Sequence, residues 1–117
     1  MDKEELKQGD AVRRIRKLND ALRHGHPGIG TIMVTSGIRD MGFEFFNKVN
    51  HAVADFDSFS EDNDPYGEHD FGSVELEGEK ILWKIDYYDL SLKYHSPDVN
   101  DPSVTHRVLT IMLANEY

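Results

Sequence analysis

The sequence predicts an α+β domain: a small antiparallel sheet of about four strands covered on one face by two helices, in the order α-β-α-β-β-β. Three observations carry that expectation. Two segments repeat apolar residues at three- and four-residue steps. Four others are β-branched or alternate apolar with polar residues, and Gly- and Pro-containing breaks separate the segments. At 117 residues the chain is long enough to bury one core without covalent help.

Residues 1–9 are charged, lack the apolar stretch of a signal peptide, and read as a flexible N-terminal segment before a single domain spanning 10–117. Asp10 is placed to cap a helix running to about Arg23. Val12, Ile15, Leu18 and Leu22 form its apolar stripe, while Arg13, Arg14, Arg16 and Lys17 lie largely off it. His24-Gly25-His26-Pro27-Gly28 breaks the helix, Ile29 to Thr35 reads as a strand, and Ser36-Gly37 turns the chain. Asp40 is placed to cap a second helix from about Met41 to Phe56, with Phe45, Phe46, Val49, Ala52, Val53 and Phe56 on one face.

Ser58 to Asp70 is polar, with Pro65 and Gly67, and reads as a surface loop of a length that is often functional. A hairpin follows. Phe71, Val74 and Leu76 lead into Glu77-Gly78-Glu79, and beyond it Ile81, Trp83, Ile85 and Tyr87 alternate with Leu82, Lys84, Asp86 and Tyr88. The alternation puts Trp83, Ile85 and Tyr87 toward the core and pairs Lys84 with Asp86 on the other face. Asp89 to Ser103 is a second polar connection. Val108 to Leu113 has strand propensity despite the helix-start signal at Asp101-Pro102, and a strand after Thr105 is expected.

Charge is unevenly placed. Between Asp55 and Asp101 lie fourteen of the 22 acids and three of the 13 Lys and Arg residues, a net −11 within a total of −9. Such a surface repels nucleic-acid backbone and membrane anions and attracts basic protein surfaces. No cysteine is present, which removes disulfides, thiolate metal sites and cysteine nucleophiles and suits a cytoplasmic protein. No apolar run approaches the roughly 20 residues of a membrane span.

Three stretches carry a family likeness: Arg14-Ile15-Arg16-Lys17-Leu18-Asn19-Asp20, then Asn63 to Gly72 with Trp83 to Asp89, and finally Arg107 to Tyr117. Together, over roughly Arg13 to Tyr117, the chain resembles an uncharacterised bacterial family, domain of unknown function 3768. The resemblance implies a small single-domain protein of the kind carried by proteobacteria and their mobile elements. It implies no activity.

Candidate chemistry gathers at Glu68, His69 and Asp70, with Asp62 and Asp64 upstream. Carboxylates beside an imidazole suit divalent-metal or acid–base work. The spacing from Asp62 faintly matches a calcium loop, but Tyr66 stands where that loop uses a ligating oxygen side chain and Ser73 where it requires a bidentate Glu, so that reading fails. Turn-forming Asx residues around Pro65 explain the same acids with fewer assumptions. His24, His26, His51, His69, His95 and His106 form no HExxH pair, no serine sits in a nucleophile elbow, and Gly25, Gly28 and Gly30 make no phosphate loop.

The favoured expectation is a non-enzymatic acidic binding module without cofactor or metal. Asp57, Glu61, Asp62, Asp64, Tyr66, Glu68, Asp70, Asp86, Tyr88 and Asp89 would meet a basic surface of another protein, carboxylates steering and aromatics supplying contact. A nucleic-acid-binding defence protein is such a partner, which would make this an inhibitor of the anti-CRISPR or anti-restriction type. The alternative is a small metal-assisted or acid–base hydrolase using Glu68, His69, Asp70 and Asp86.

Overall fold

A computed structural model describes residues 3–117, with side chains from Gly9 onward. Its elements are α1 (Lys3–Arg23), β1 (Gly30–Val34), α2 (Ser36–Arg39), α3 (Phe43–Asp55), β2 (Phe71–Leu76), β3 (Glu79–Tyr88), β4 (His106–Leu113) and a closing 3-10 turn (Ala114–Glu116). The fold is α+β, as the periodicities predict, and the segment after Thr105 is a strand.

The sheet has the order β1-β4-β3-β2. β2 pairs with β3 and β3 with β4 antiparallel, but β1 pairs with β4 in parallel. The sheet is therefore mixed rather than antiparallel, for a topological reason. The chain leaves β1 through helices, which return it to the end where β1 began, so β2 runs in the same direction. Two antiparallel steps then bring β4 parallel to β1. The β2–β3 turn is the tight one expected: Glu77 and Gly78 both have positive φ, 53° and 81°, as a two-residue turn matched to strand twist requires.

Three local expectations are corrected. α1 begins at Lys3, so Asp10 lies inside it and pairs with Arg13 instead of capping. Lys, Glu, Leu and Gln between residues 3 and 8 are good helix formers, and one Gly at position 9 is tolerable at about 1 kcal/mol. Residues 1–2 of the expected flexible segment lie outside the described residues. Ser36-Gly37 opens the one-turn helix α2, whose C-cap is Asp40, and α3 starts at Phe43 behind Gly42.

One face of the sheet carries the core. Ile81, Trp83 and Ile85 of β3 and Leu109 and Ile111 of β4 pack against Leu22 of α1, Ile38 of α2, and Phe45, Val49 and Val53 of α3. Trp83 is wholly buried because Gly72 lies opposite it: a Cβ there would stand 2.5 Å from the indole Nε1. The other face holds Lys84 Nζ 2.9 Å from Asp86 Oδ2, as alternation predicts. Glu116 ties the closing turn to the β1–α2 corner. Its carboxylate accepts the Thr35 hydroxyl at 2.7 Å and the Leu113 and Gly37 amides at 2.9 and 3.2 Å, and these bonds hold it below the usual range. Among the described residues no helix is long and apolar enough to cross a membrane.

Candidate functional site

The acidic loop folds onto α1 through polar residues that occupy apolar positions. Asn19 follows Ile15 by four residues and Arg23 follows Asn19 by four, so both ride the buried side of the helix, at 0% and 6% exposure. Arg107 has the same strand phase as Leu109 and Ile111 and is fully buried. Its Nε donates to Asn19 Oδ1 at 2.8 Å, an Nη donates to the Val99 carbonyl, and its guanidinium lies 5.2 Å from the centre of the Tyr87 ring. Burial lowers its pKa, with no carboxylate bonded to it among the described residues.

Asn19 then joins three elements. Its Nδ2 donates to the Glu68 carbonyl at 3.0 Å and to the Tyr87 hydroxyl at 2.8 Å, and that hydroxyl donates to Glu68 Oε2 at 3.0 Å. Burial is the main cause that pushes the Tyr87 pKa up. Arg16 Nε adds a bond of 2.7 Å to the Gly67 carbonyl.

His69 is the centre of the loop's other anchor. Its backbone is left-handed, φ 58°, and its amide donates to Asp64 Oδ1 at 3.1 Å. Nδ1 lies 2.9 Å from Asp20 Oδ1 and Nε2 3.7 Å from Asp64 Oδ2. The ring stacks on Phe59, centroids 3.6 Å apart and planes 4° off parallel. Arg23 completes the set: one Nη bonds Asp20 at 3.0 Å, the other bonds the Val53 and Phe56 carbonyls at 2.7 and 3.0 Å, closing the end of α3. Its guanidinium sits over Phe59 and Trp83.

The structure thus divides the residues singled out from the sequence. Glu68 and His69 are engaged in internal bonds. Asp64, 8% exposed, holds the His69 amide. Asp89 accepts from Ser91 Oγ and the Lys93 amide in a turn, bonds that lower its pKa. Asp86 is paired with Lys84, and with Asp70, Tyr87, Tyr88 and His95 it lines a recess of about 290 Å³. Burial, then the neighbouring Glu68, Asp64 and Asp86 charges, raise the Asp70 carboxyl, while its own backbone amide opposes them. The cluster offered for catalysis is therefore split: Glu68 and His69 anchor the loop to α1, and Asp70 and Asp86 face the recess. Among the described residues no group of three His, Cys, Asp or Glu is arranged to hold a metal ion.

Asp57, Glu61, Asp62 and Tyr66 remain exposed, without a side-chain partner among the described residues. The loop that carries them is ordered from within. Asn63 accepts the Ser60 amide at 2.9 Å and donates to the Ser58 carbonyl at 3.0 Å, and the Asp64 amide bonds the Ser60 carbonyl at 2.8 Å. Asn19, Asp20, Arg23 and Arg107 were not expected in the site. The available signal was a polar residue in apolar phase, on the helix at Asn19 and Arg23 and on the strand at Arg107.

Fold and site together define a small α+β domain in which a buried polar network fixes an acidic loop on the first helix. The chain belongs to the family described as "Protein of unknown function (DUF3768)", whose model matches residues 34–116. The match begins inside β1, whereas the likeness in the sequence runs from Arg13. No curated protein and no solved structure matches the chain.

Proposed function

We propose that this protein is a small non-enzymatic binding module that lays its acidic 57–70 loop on a basic, nucleic-acid-binding surface of another protein. The observation that carries this reading is the loop's division of labour. Anchors at the buried Asp64 and the half-buried Glu68 and His69 hold its shape, and Asp57, Glu61 and Asp62 stay exposed beside Tyr66, itself 78% exposed. A loop folded in advance loses little freedom on docking, its carboxylates steer the encounter, and an exposed tyrosine supplies contact area. The sharper form is an inhibitor of the anti-CRISPR or anti-restriction type, with carboxylates standing where phosphates would lie. Such a role places the protein in the cytoplasm, in keeping with a chain free of cysteine.

The test is capture from source-cell lysate, followed by competition with duplex DNA. Wild type should retain a nucleic-acid-binding protein that DNA displaces. The triple variant Asp57→Asn, Glu61→Gln, Asp62→Asn should retain at least about tenfold less, because rim charges set encounter and salt dependence. Equal capture by the variant, or capture indifferent to DNA, would sink the reading.

One observation favours a second reading. Asp70 has a raised pKa in a recess with Asp86 and His95, an arrangement that suits acid–base hydrolysis. Hydrolysis of ester or phosphoester substrates that survives in Asp70→Asn would exclude Asp70 as its acid.

A further inference from the structure

Two features meet at β1, away from the acidic loop. The first is an unguarded edge. β1 has β4 as its single neighbour in the sheet. The Thr35 amide donates to the Ile111 carbonyl, and in a parallel ladder alternate residues turn their backbone groups to the same side. The backbone groups of Ile32 and Val34 therefore face the free edge. The Val34 carbonyl is met there by Arg39 Nε at 3.1 Å, which agrees with that phase. Sheet edges are ordinarily blunted by charge, proline, a bulge or a cover. Gly30-Thr31-Ile32-Met33-Val34 has no charge and no proline, and Ile32 and Met33 are 41% and 54% exposed. The opposite edge strand, β2, carries Glu75.

The second feature is the groove beside that edge, about 450 Å³, between the end of α1, β1 and α3. Its apolar floor includes Ile32, Leu109 and Phe46, and its rim includes Arg39, His24 and His51. Among the described residues no aspartate or glutamate lines it, in a protein of net charge −9. The Arg39 guanidinium lies 5.8 Å from the Phe46 ring centre, at the junction of rim and floor.

We propose that β1 is a docking edge for an extended acidic segment of another protein, which adds as a fifth strand and sets alternate side chains into this groove. Strand addition takes its affinity from main-chain bonds and its selectivity from pockets for every second side chain. Here Ile32 supplies the backbone groups, the apolar floor receives an aliphatic side chain, and Arg39 at the rim receives a carboxylate. A second copy fits less well. Pairing β1 with β1 across a two-fold axis brings each Arg39 toward its own equivalent, with no acid of the groove lining between them. The inference goes beyond the function proposed for the acidic loop and uses none of its residues.

The experiment uses three fluorescein-labelled hexapeptides and anisotropy: Val-Thr-Glu-Thr-Val-Thr, whose Val and Glu share one face, the same with Lys for Glu, and the Val/Glu peptide with Pro for its central Thr. The Val/Glu peptide should bind, the other two at least about tenfold more weakly, and bound peptide should slow hydrogen exchange at Ile32 and Val34. Ile32→Pro removes an outward amide without touching the bonds to β4 and should weaken binding at least about tenfold. Arg39→Glu, an exposed change, should invert the preference between Glu and Lys peptides even if the proline variant folds poorly. The triple variant of Asp57, Glu61 and Asp62 should bind the peptide like wild type, which separates this test from that of the acidic loop. Binding by none of the peptides, equal binding of the Pro or Lys peptide, or protein that dimerises through β1 in sedimentation equilibrium would overturn the proposal.

Discussion

The 57–70 loop and the β1 edge use charge in contrary ways. The loop region is dense in ionisable groups, yet Asp64, Glu68 and His69 are taken up by Asp20, Tyr87 and one another. The β1 edge has no ionisable residue in its strand, and its neighbouring groove has cationic groups without acids. A concentration of carboxylates and imidazole is thus a poor guide to free chemistry. What counts is which groups the fold leaves without a partner, and that is decided by residues distant in sequence.

Arg23 belongs to both regions, since it bonds Asp20 on one side and lines the groove on the other. Arg23→Ala should give the largest effect, a loss of about 3–5 kcal/mol, because it takes the donor from the Val53 and Phe56 carbonyls, empties a buried site against Trp83 and leaves Asp20 with His69 alone. Chemical denaturation reads this directly, and a loss under about 1 kcal/mol would mean the two regions are not tied through this side chain.

His69→Ala should cost about 1–3 kcal/mol through the lost Asp20 bond and the Phe59 stack. Its signature is local: amide exchange should quicken over residues 57–70 and stay unchanged at β1. Equal loosening of both regions would erase the distinction between them.

Asp70→Asn should act in the opposite direction. Burial raises the folded-state pKa above the ordinary value of about 3.9, so the fold favours the protonated acid. That contribution is complete below the unfolded pKa and is lost as pH rises through the folded one. At pH 7 the variant should therefore be more stable, by roughly 0.5 kcal/mol for a partly exposed site. The advantage should shrink as pH falls toward about 4. A variant equally or less stable at pH 7 would contradict the burial of that charge.

Much of this architecture is legible in the sequence, and the reasons are local. The Phe45-Val49-Val53 spacing marks α3, the alternation from Ile81 marks β3, and Glu77-Gly78 marks the turn. The parallel pairing of β1 is not legible, because it depends on where a helical crossover delivers the chain and on no residue within β1. The site was half legible. Glu68, His69 and Asp70 stood out by type, but Asn19 and Asp20, which hold the loop, and Arg23 and Arg107, which hold those two, lie on α1 and β4, where a polar residue in apolar phase passes for an irregularity of the stripe.

The pairing of Gly30 with Arg107 also sets an order of events. The β2–β3–β4 meander closes through connections of two and seventeen residues, whereas β1 must await a strand more than seventy residues later in synthesis. During that interval Gly30 to Val34 is an uncharged segment whose partner strand β4 is not yet in place, and so is open to pairing with a wrong chain. A nascent chain stalled before His106 should therefore bind chaperones through β1, and release should coincide with the emergence of β4.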